Sequence, residues 1–174
     1  MKYSKILFNR VDYRITSWMS RNSLMLLRIS VGIIFFWFGL LKFIPNLSPA
    51  EDLAIRTVDV LSFGMVSGSI SIYILAIWEV LIGLGLLSGV YMRVTLLLLF
   101  LQMIGTMSPI FIFPADVFTK IPYAPTLEGQ YIIKNLVIIS AGMVLGATVR
   151  KKDAKIVDRH KVTGASAHPT INED

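Results

Sequence analysis

The sequence predicts an all-α protein: a four-transmembrane-helix bundle with both termini cytoplasmic and a short external helix between spans one and two. Three observations carry this. The 174 residues are 55% hydrophobic and only 16% charged, with a mean hydropathy of +0.68, where a soluble domain runs near 45–50% apolar and about 25% charged. Four separate apolar runs each approach the roughly 20 residues a helix needs to cross a bilayer core. The lysines and arginines gather at the two ends of the chain and in one short turn.

Taken in order, residues 1–23 form a basic arm carrying Lys2, Lys5, Arg10, Arg14 and Arg21. Leu7, Val11, Ile15 and Trp18 recur at helical spacing over 5–21, the pattern of an amphipathic helix lying on the inner membrane surface. Span one, 24–43, holds Arg28 and Lys42. It is too long for a signal peptide and no small-x-small cleavage site follows it cleanly, so it reads as a retained anchor. Ser48-Pro49-Ala50-Glu51 is a capping-box pattern with proline at the first helical position. Leu53, Thr57, Val58 and Leu61 continue one face of an external helix until Gly64 ends it.

Span two, 70–87, holds a single charge, Glu79, and the turn after it carries Arg93. Span three, 94–113, holds none and ends at Pro109 and Pro114; Pro122, Pro125 and Gly129 predict an irregular second external loop. Asp116 and Glu128 in that region read as solvated loop acids. Span four, 131–149, holds Lys134. The membrane domain is therefore 24–149, followed by a basic tail, 150–174, expected to be disordered after about Arg159. No run alternates as barrel strands would, and no repeat of 20–50 residues is present.

Orientation follows from the positive-inside rule. The arm, the tail and the turn 88–93 hold the cations, whereas loops 45–69 and 114–130 hold only Arg56 and Lys120 against Glu51, Asp52, Asp59, Asp116 and Glu128. This accounts for the net charge of +6 without a nucleic-acid partner; the partner expected is the lipid bilayer. With no cysteine, the chain itself carries no disulfide, thiolate–zinc or iron–sulfur chemistry. Its two histidines, His160 and His168, lie in the polar tail, so no metal site is expected within the spans.

Ionisable groups within a span are expensive and usually face the protein interior, which makes each a site candidate. Glu79 leads, because it sits roughly 14 Å from either end of its helix and its side chain is too short to snorkel. Arg28, Gly32, Phe35, Gly39 and Lys42 share one stripe of span one; Ile72, Ala76, Glu79 and Gly83 share one of span two. Span three offers Gln102, Thr106 and Pro109. Span four offers Lys134, Asn135 and the Gly142-x-x-x-Gly146 packing pattern. By helical rise, Arg28 or Lys134 reaches Glu79 with an extended side chain, and Lys42 lies nearer the external end; all three are candidate partners, with interface snorkelling the alternative reading for each, and the sequence leaves the choice of cation open. Trp37, Trp78 and Tyr73, with Phe35 and Phe36, gather near these charges, as packing residues or as the wall of a ring-binding pocket.

Several of these stretches resemble a known family. Arg28-x-x-x-Gly32 followed by Gly39-Leu40-Leu41-Lys42-Phe43 looks like the first helix of DoxX-like inner-membrane proteins, particularly their YkgB-type branch. Trp78-Glu79-Val80-Leu81-Ile82-Gly83 is similar to the second-helix signature, Ser108-Pro109 to the turn ending the third helix, and Gly129-Gln130-Tyr131-Ile132-Ile133-Lys134-Asn135 to the entry of the fourth. The likeness spans about residues 24–149. The first external loop is short for that branch, and the basic arm and tail have no counterpart. The resemblance implies a multi-pass protein of the bacterial inner membrane and carries over Arg28, Lys42, Glu79 and Lys134 as inward-facing positions. The family takes its name from a subunit associated with a thiosulfate:quinone oxidoreductase.

Three functional readings follow. The favoured one is a quinone-associated accessory or small subunit of a membrane redox system, in which Glu79 and a cation bind a quinone headgroup and Trp37 or Trp78 lines the pocket. It implies quinone as cofactor and a membrane redox protein as partner; the sequence itself contains no catalytic motif. The second is a small proton-coupled permease or exporter, for which four helices imply a homodimer. The third is an assembly factor whose charges fix helix register.

Overall fold

The computed structural model describes residues 2–45, 47, 48 and 50–165, with side chains over 10–149 of these. Among the described residues nine elements follow one another: α1 (Lys2–Leu41), α2 (Glu51–Leu61), α3 (Ser69–Ser88), α4 (Met92–Met107), α5 (Pro109–Ile112), α6 (Pro114–Val117), β1 (Phe118–Lys120), β2 (Ala124–Pro125) and α7 (Leu127–Ala165). Four helical stretches among the described residues are long and apolar enough to cross a bilayer: Arg10–Leu41, Ser69–Ser88, Met92–Ile112 and Leu127–Val149.

Glycines set the closest pairing, that of α1 with α3. Gly32 lies against Leu86 and Leu87, Gly83 against the backbone of Phe36, and Gly39 against Glu79 and Val80. Numbers that rise along one helix while falling along the other make the pair antiparallel. Helices in lipid gain little from excluding water, so contact at this range, where dispersion acts over the whole seam, is what holds them. Across the other face of α3, Gly85 packs on Thr95 of α4, and α4 in turn packs on α7 through Gly142, which meets Leu99 and Phe100. Phe35, Ile82, Leu86, Leu99, Met103 and Leu145 fill the centre.

A second, smaller cluster sits beyond the loop ends of the spans. There Leu53 of α2 packs with Val117 of α6 and Ile132 of α7. Arg56 of α2 joins Asp116 of α6 at 2.9 Å and lies 5.2 Å over the Phe113 ring. Both partners of this ion pair are about half exposed, so it contributes little beyond tying the two loops together. Asp116 is thus a paired acid and not the solvated one expected.

The elements depart from expectation in five places. The basic arm and span one are a single uninterrupted helix, because nothing between Arg21 and Leu24 breaks one; Asn22-Ser23 introduces neither proline nor glycine. The helix between spans one and two begins at Glu51, with Ala50 left-handed at φ 56°, two residues past the predicted Pro49 start. Span three, Met92–Ile112, is interrupted at Ser108: α4 ends at Met107 and Pro109 opens a new turn at its first position, where a missing N–H costs least. The loop between spans three and four contains a small antiparallel hairpin, Phe118 opposite Pro125 and Lys120 opposite Ala124, too short to leave a period in the sequence. Finally, α7 continues to Ala165, past Arg159; the remainder of the expected disordered tail, 166–174, lies outside the described residues.

Candidate functional site: a carboxylate between a lysine and a glutamine

Close approach of α1 and α3 determines where the buried acid finds its partner. A Cβ on Gly39 would lie 2.9 Å from the Val80 nitrogen and 3.0 Å from Glu79 Cβ, so the two backbones touch directly beside the carboxylate. Side chains on a helix lean toward its N-terminus. Glu79 therefore leans toward the Ser69 end of α3, and Lys42, just past the last turn of antiparallel α1, leans back into the bundle. They converge: Lys42 Nζ donates to Glu79 Oε2 at 2.7 Å, with 13% and 11% of the two side chains exposed.

A third helix completes the site. From α4, Gln102 Nε2 donates to Glu79 Oε1 at 2.8 Å, so each carboxylate oxygen has its own donor. Among the described residues no buried side-chain nitrogen or oxygen lacks a hydrogen bond. One step along α3, Trp78 donates its indole N–H to the Leu98 carbonyl of α4 at 3.1 Å, locking the same two helices. Trp78→Phe is expected to lower bundle stability by about 1 kcal/mol, the net worth of one such bond; thermal unfolding in a fixed detergent measures it.

The other candidate residues are distributed differently. Arg28 does not reach Glu79: it lies at the opposite end of the α1–α3 seam, its guanidinium against Gly89 just beyond α3. The same lean explains this, since Arg28 sits early on α1 and points away from the midplane. Lys134 is exposed, its ammonium 5.4 Å over the Tyr131 ring; it points toward the N-terminal end of α7, again away from Glu79. Of the three candidate cations, Lys42, the one nearest the loop end of its span, is the one that pairs. Asn135 is half-buried on α7 and is not part of the hydrogen-bonded triad. Trp37 faces outward with 63% of its surface exposed. The aromatic pair beside the site is Phe43 with Tyr73, ring centroids 6.3 Å apart and tilted by 33°. Among the described residues no group of His, Cys, Asp and Glu is disposed to hold a metal ion.

Lys42, Glu79 and Gln102 come from three helices within one segment, and that segment is what known proteins share with this one. The DoxX family model matches residues 23–115. The chain belongs to the DoxX family. The match takes in α1 from Ser23 through α5 and all three residues of the triad, and leaves out α7 with Lys134 and Asn135. Neither a curated protein nor a solved structure is a match. Together with the four apolar helices, the family assignment makes this an integral, multi-pass membrane protein.

Proposed function

We propose that this DoxX-family protein resides in a bacterial inner membrane with both termini in the cytoplasm, in the YkgB-type branch of its family. There it serves a membrane redox system as a quinone-associated subunit. The topology rests on the lysine and arginine bias of the arm, the 88–93 turn and the tail. The functional reading rests on one observation, the Lys42–Glu79–Gln102 triad with its partly exposed edge.

The donor set suits a quinone. Ammonium and amide N–H groups match carbonyl oxygens, and a carboxylate accepts from the hydroxyl of the reduced ring. Phe43 and Tyr73, adjacent in the fold to Lys42, offer flat apolar surface at the same level. The quinone supplies two-electron, two-proton chemistry. The protein's own part is to orient the headgroup through Lys42 and Gln102, to hold a proton acceptor at Glu79, and to keep bulk water away. Electrons come from the partner protein, since a chain without cysteine carries no iron–sulfur relay.

Quinone content of the purified protein tests this. The wild type is expected to retain stoichiometric quinone through detergent extraction and Glu79→Gln to lose most of it; no detectable quinone in either overturns the reading. A second reading is favoured by the closure of the triad on itself: charges that satisfy one another can serve as a register lock in an assembly factor. In that case Glu79→Gln lowers the abundance of a partner complex while quinone is absent throughout.

A further inference from the structure

The face of α1 that packs on α3 continues along α1 after α3 has ended. Gly32, Phe36 and Gly39 make the seam with α3. Alternate steps of three and four back from Gly32 reach Ile29, Met25, Asn22, Trp18, Ile15 and Val11, which therefore lie on the same stripe. Helix α3 covers that stripe only as far as Arg28, whose guanidinium lies against Gly89. Beyond this point Val11, Ile15 and Trp18 keep 54%, 53% and 55% of their surface exposed. One border of the stripe is arginine at every seventh residue, Arg14, Arg21 and Arg28, each one position before a member of the stripe. Arg14 and Arg21 are exposed. Arg21 bonds Ser17, one turn back on its own helix, and among the described residues neither arginine is joined to a carboxylate.

We propose that the stripe from Val11 to Met25 docks an acidic amphipathic helix of a partner protein, laid along α1 where α3 leaves off. Lipid does not cover it. The arm and span one are one uninterrupted helix, and a rod cannot lie along a surface that its other half crosses. The 20 residues of α3 match the hydrocarbon core, and Arg28 is level with their end. At 1.5 Å per residue Trp18 and Arg14 lie roughly 15 and 21 Å farther out, past a headgroup layer of roughly 5–8 Å. A second copy does not fit either. Set parallel, it would put Met19 and Leu26 opposite Arg14 and Arg21; set antiparallel, it would put arginine against arginine. The extension of α7, with Arg150, Lys151, Lys152 and Lys155, is itself basic. The complement is a helix with apolar residues at heptad spacing and carboxylates facing the two arginines, since charges bordering such a seam choose the partner. This docking requires neither the triad nor a quinone.

The probe is a labelled three-heptad peptide with leucine at the two seam positions and glutamate at the four bordering ones of each pair of heptads, titrated by anisotropy with the full chain in nanodiscs of neutral lipid. The wild type is expected to bind it about tenfold more tightly than the same peptide with lysine in place of glutamate. Ile15→Asp with Trp18→Asp abolishes binding of both. Arg14→Glu with Arg21→Glu weakens the glutamate peptide about fivefold, the worth of two exposed ion pairs, and transfers the preference to the lysine peptide. These positions are exposed and outside the bundle core, so thermal unfolding stays at the wild-type midpoint. Failure of the wild type to bind either peptide, equal affinity for the two, or a charge reversal without exchange of preference overturns the proposal. A single Ile15→Cys variant supplies two further checks, made clean by a chain without native cysteine. A nitroxide there that is more accessible to oxygen than to a water-soluble nickel chelate would assign the stripe to lipid, and a disulfide between copies in proteoliposomes would assign it to a second copy; either result overturns the proposal as well.

Discussion

Lys42→Met is expected to destabilise the bundle by about 3–5 kcal/mol, the cost of leaving a buried carboxylate without its cation. Glu79→Leu is expected to cost less. The glutamate side chain is short and sits mid-helix, whereas an unpaired Lys42, one residue past the end of α1, has a long stem with which to carry its ammonium to the interface. Replacing all three residues together, Lys42→Met with Glu79→Leu and Gln102→Leu, should recover most of the loss or exceed wild-type stability. Removing both charges and the amide relieves their desolvation, and apolar groups of similar volume fill the space.

Equilibrium unfolding of the single and combined variants in one detergent gives the coupling energy directly. Single variants as stable as wild type would mean that the 2.7 Å contact contributes nothing. The triple variant also separates function from scaffolding. A folded bundle that no longer retains the quinone proposed above, where the wild type does, assigns the triad to ligand handling. A folded bundle with full activity assigns it to neither.

The second large effect concerns Gly83. An added Cβ there would lie 2.5 Å from the Phe36 nitrogen and 2.7 Å from its Cα, which is backbone and cannot rotate away. Gly83→Ala must therefore push α1 off α3, and a loss of about 3 kcal/mol is expected, at the upper end of overpacking costs. The displacement also draws Lys42 away from Glu79. Gly105→Ala is the matched control: no atom lies within 4 Å of the added methyl, and alanine in a helix is favoured over glycine by roughly 0.5–1 kcal/mol. Thermal midpoints of the two variants should move in opposite directions; equal shifts would show that the α1–α3 seam has slack.

How the candidate site was legible follows from particular residues. The depth of Glu79 is a matter of counting along an apolar run, and the stripes holding Gly32, Phe35, Gly39, Ile72, Ala76 and Gly83 follow from helical period; all six are buried. Choosing the cation was harder. Rise per residue puts Arg28 and Lys134 within reach of Glu79, but rise ignores the direction in which a side chain leans. With antiparallel α1 and α3, that lean brings Lys42 and Glu79 together and sends Arg28 to the far end of the seam at Gly89. Topology alone contained this signal, since consecutive spans joined by a short segment run antiparallel. The Arg56–Asp116 pair and the hairpin of 118–125 left no such trace, because each depends on where two loops of irregular length come to rest.

The sequence by itself determined that this protein has four helices long and apolar enough to cross a membrane, that one acid lies at the middle of a span, and which faces of spans one and two turn inward. These are properties of length, period and the cost of charge in hydrocarbon, all of which act along a single chain segment. Only the tertiary structure decided that Lys42 and Gln102, from two different helices, share the two oxygens of Glu79. That choice depends on axial register between helices to within one turn, and the register is set by where glycines let backbones touch, at Gly39 and Gly83.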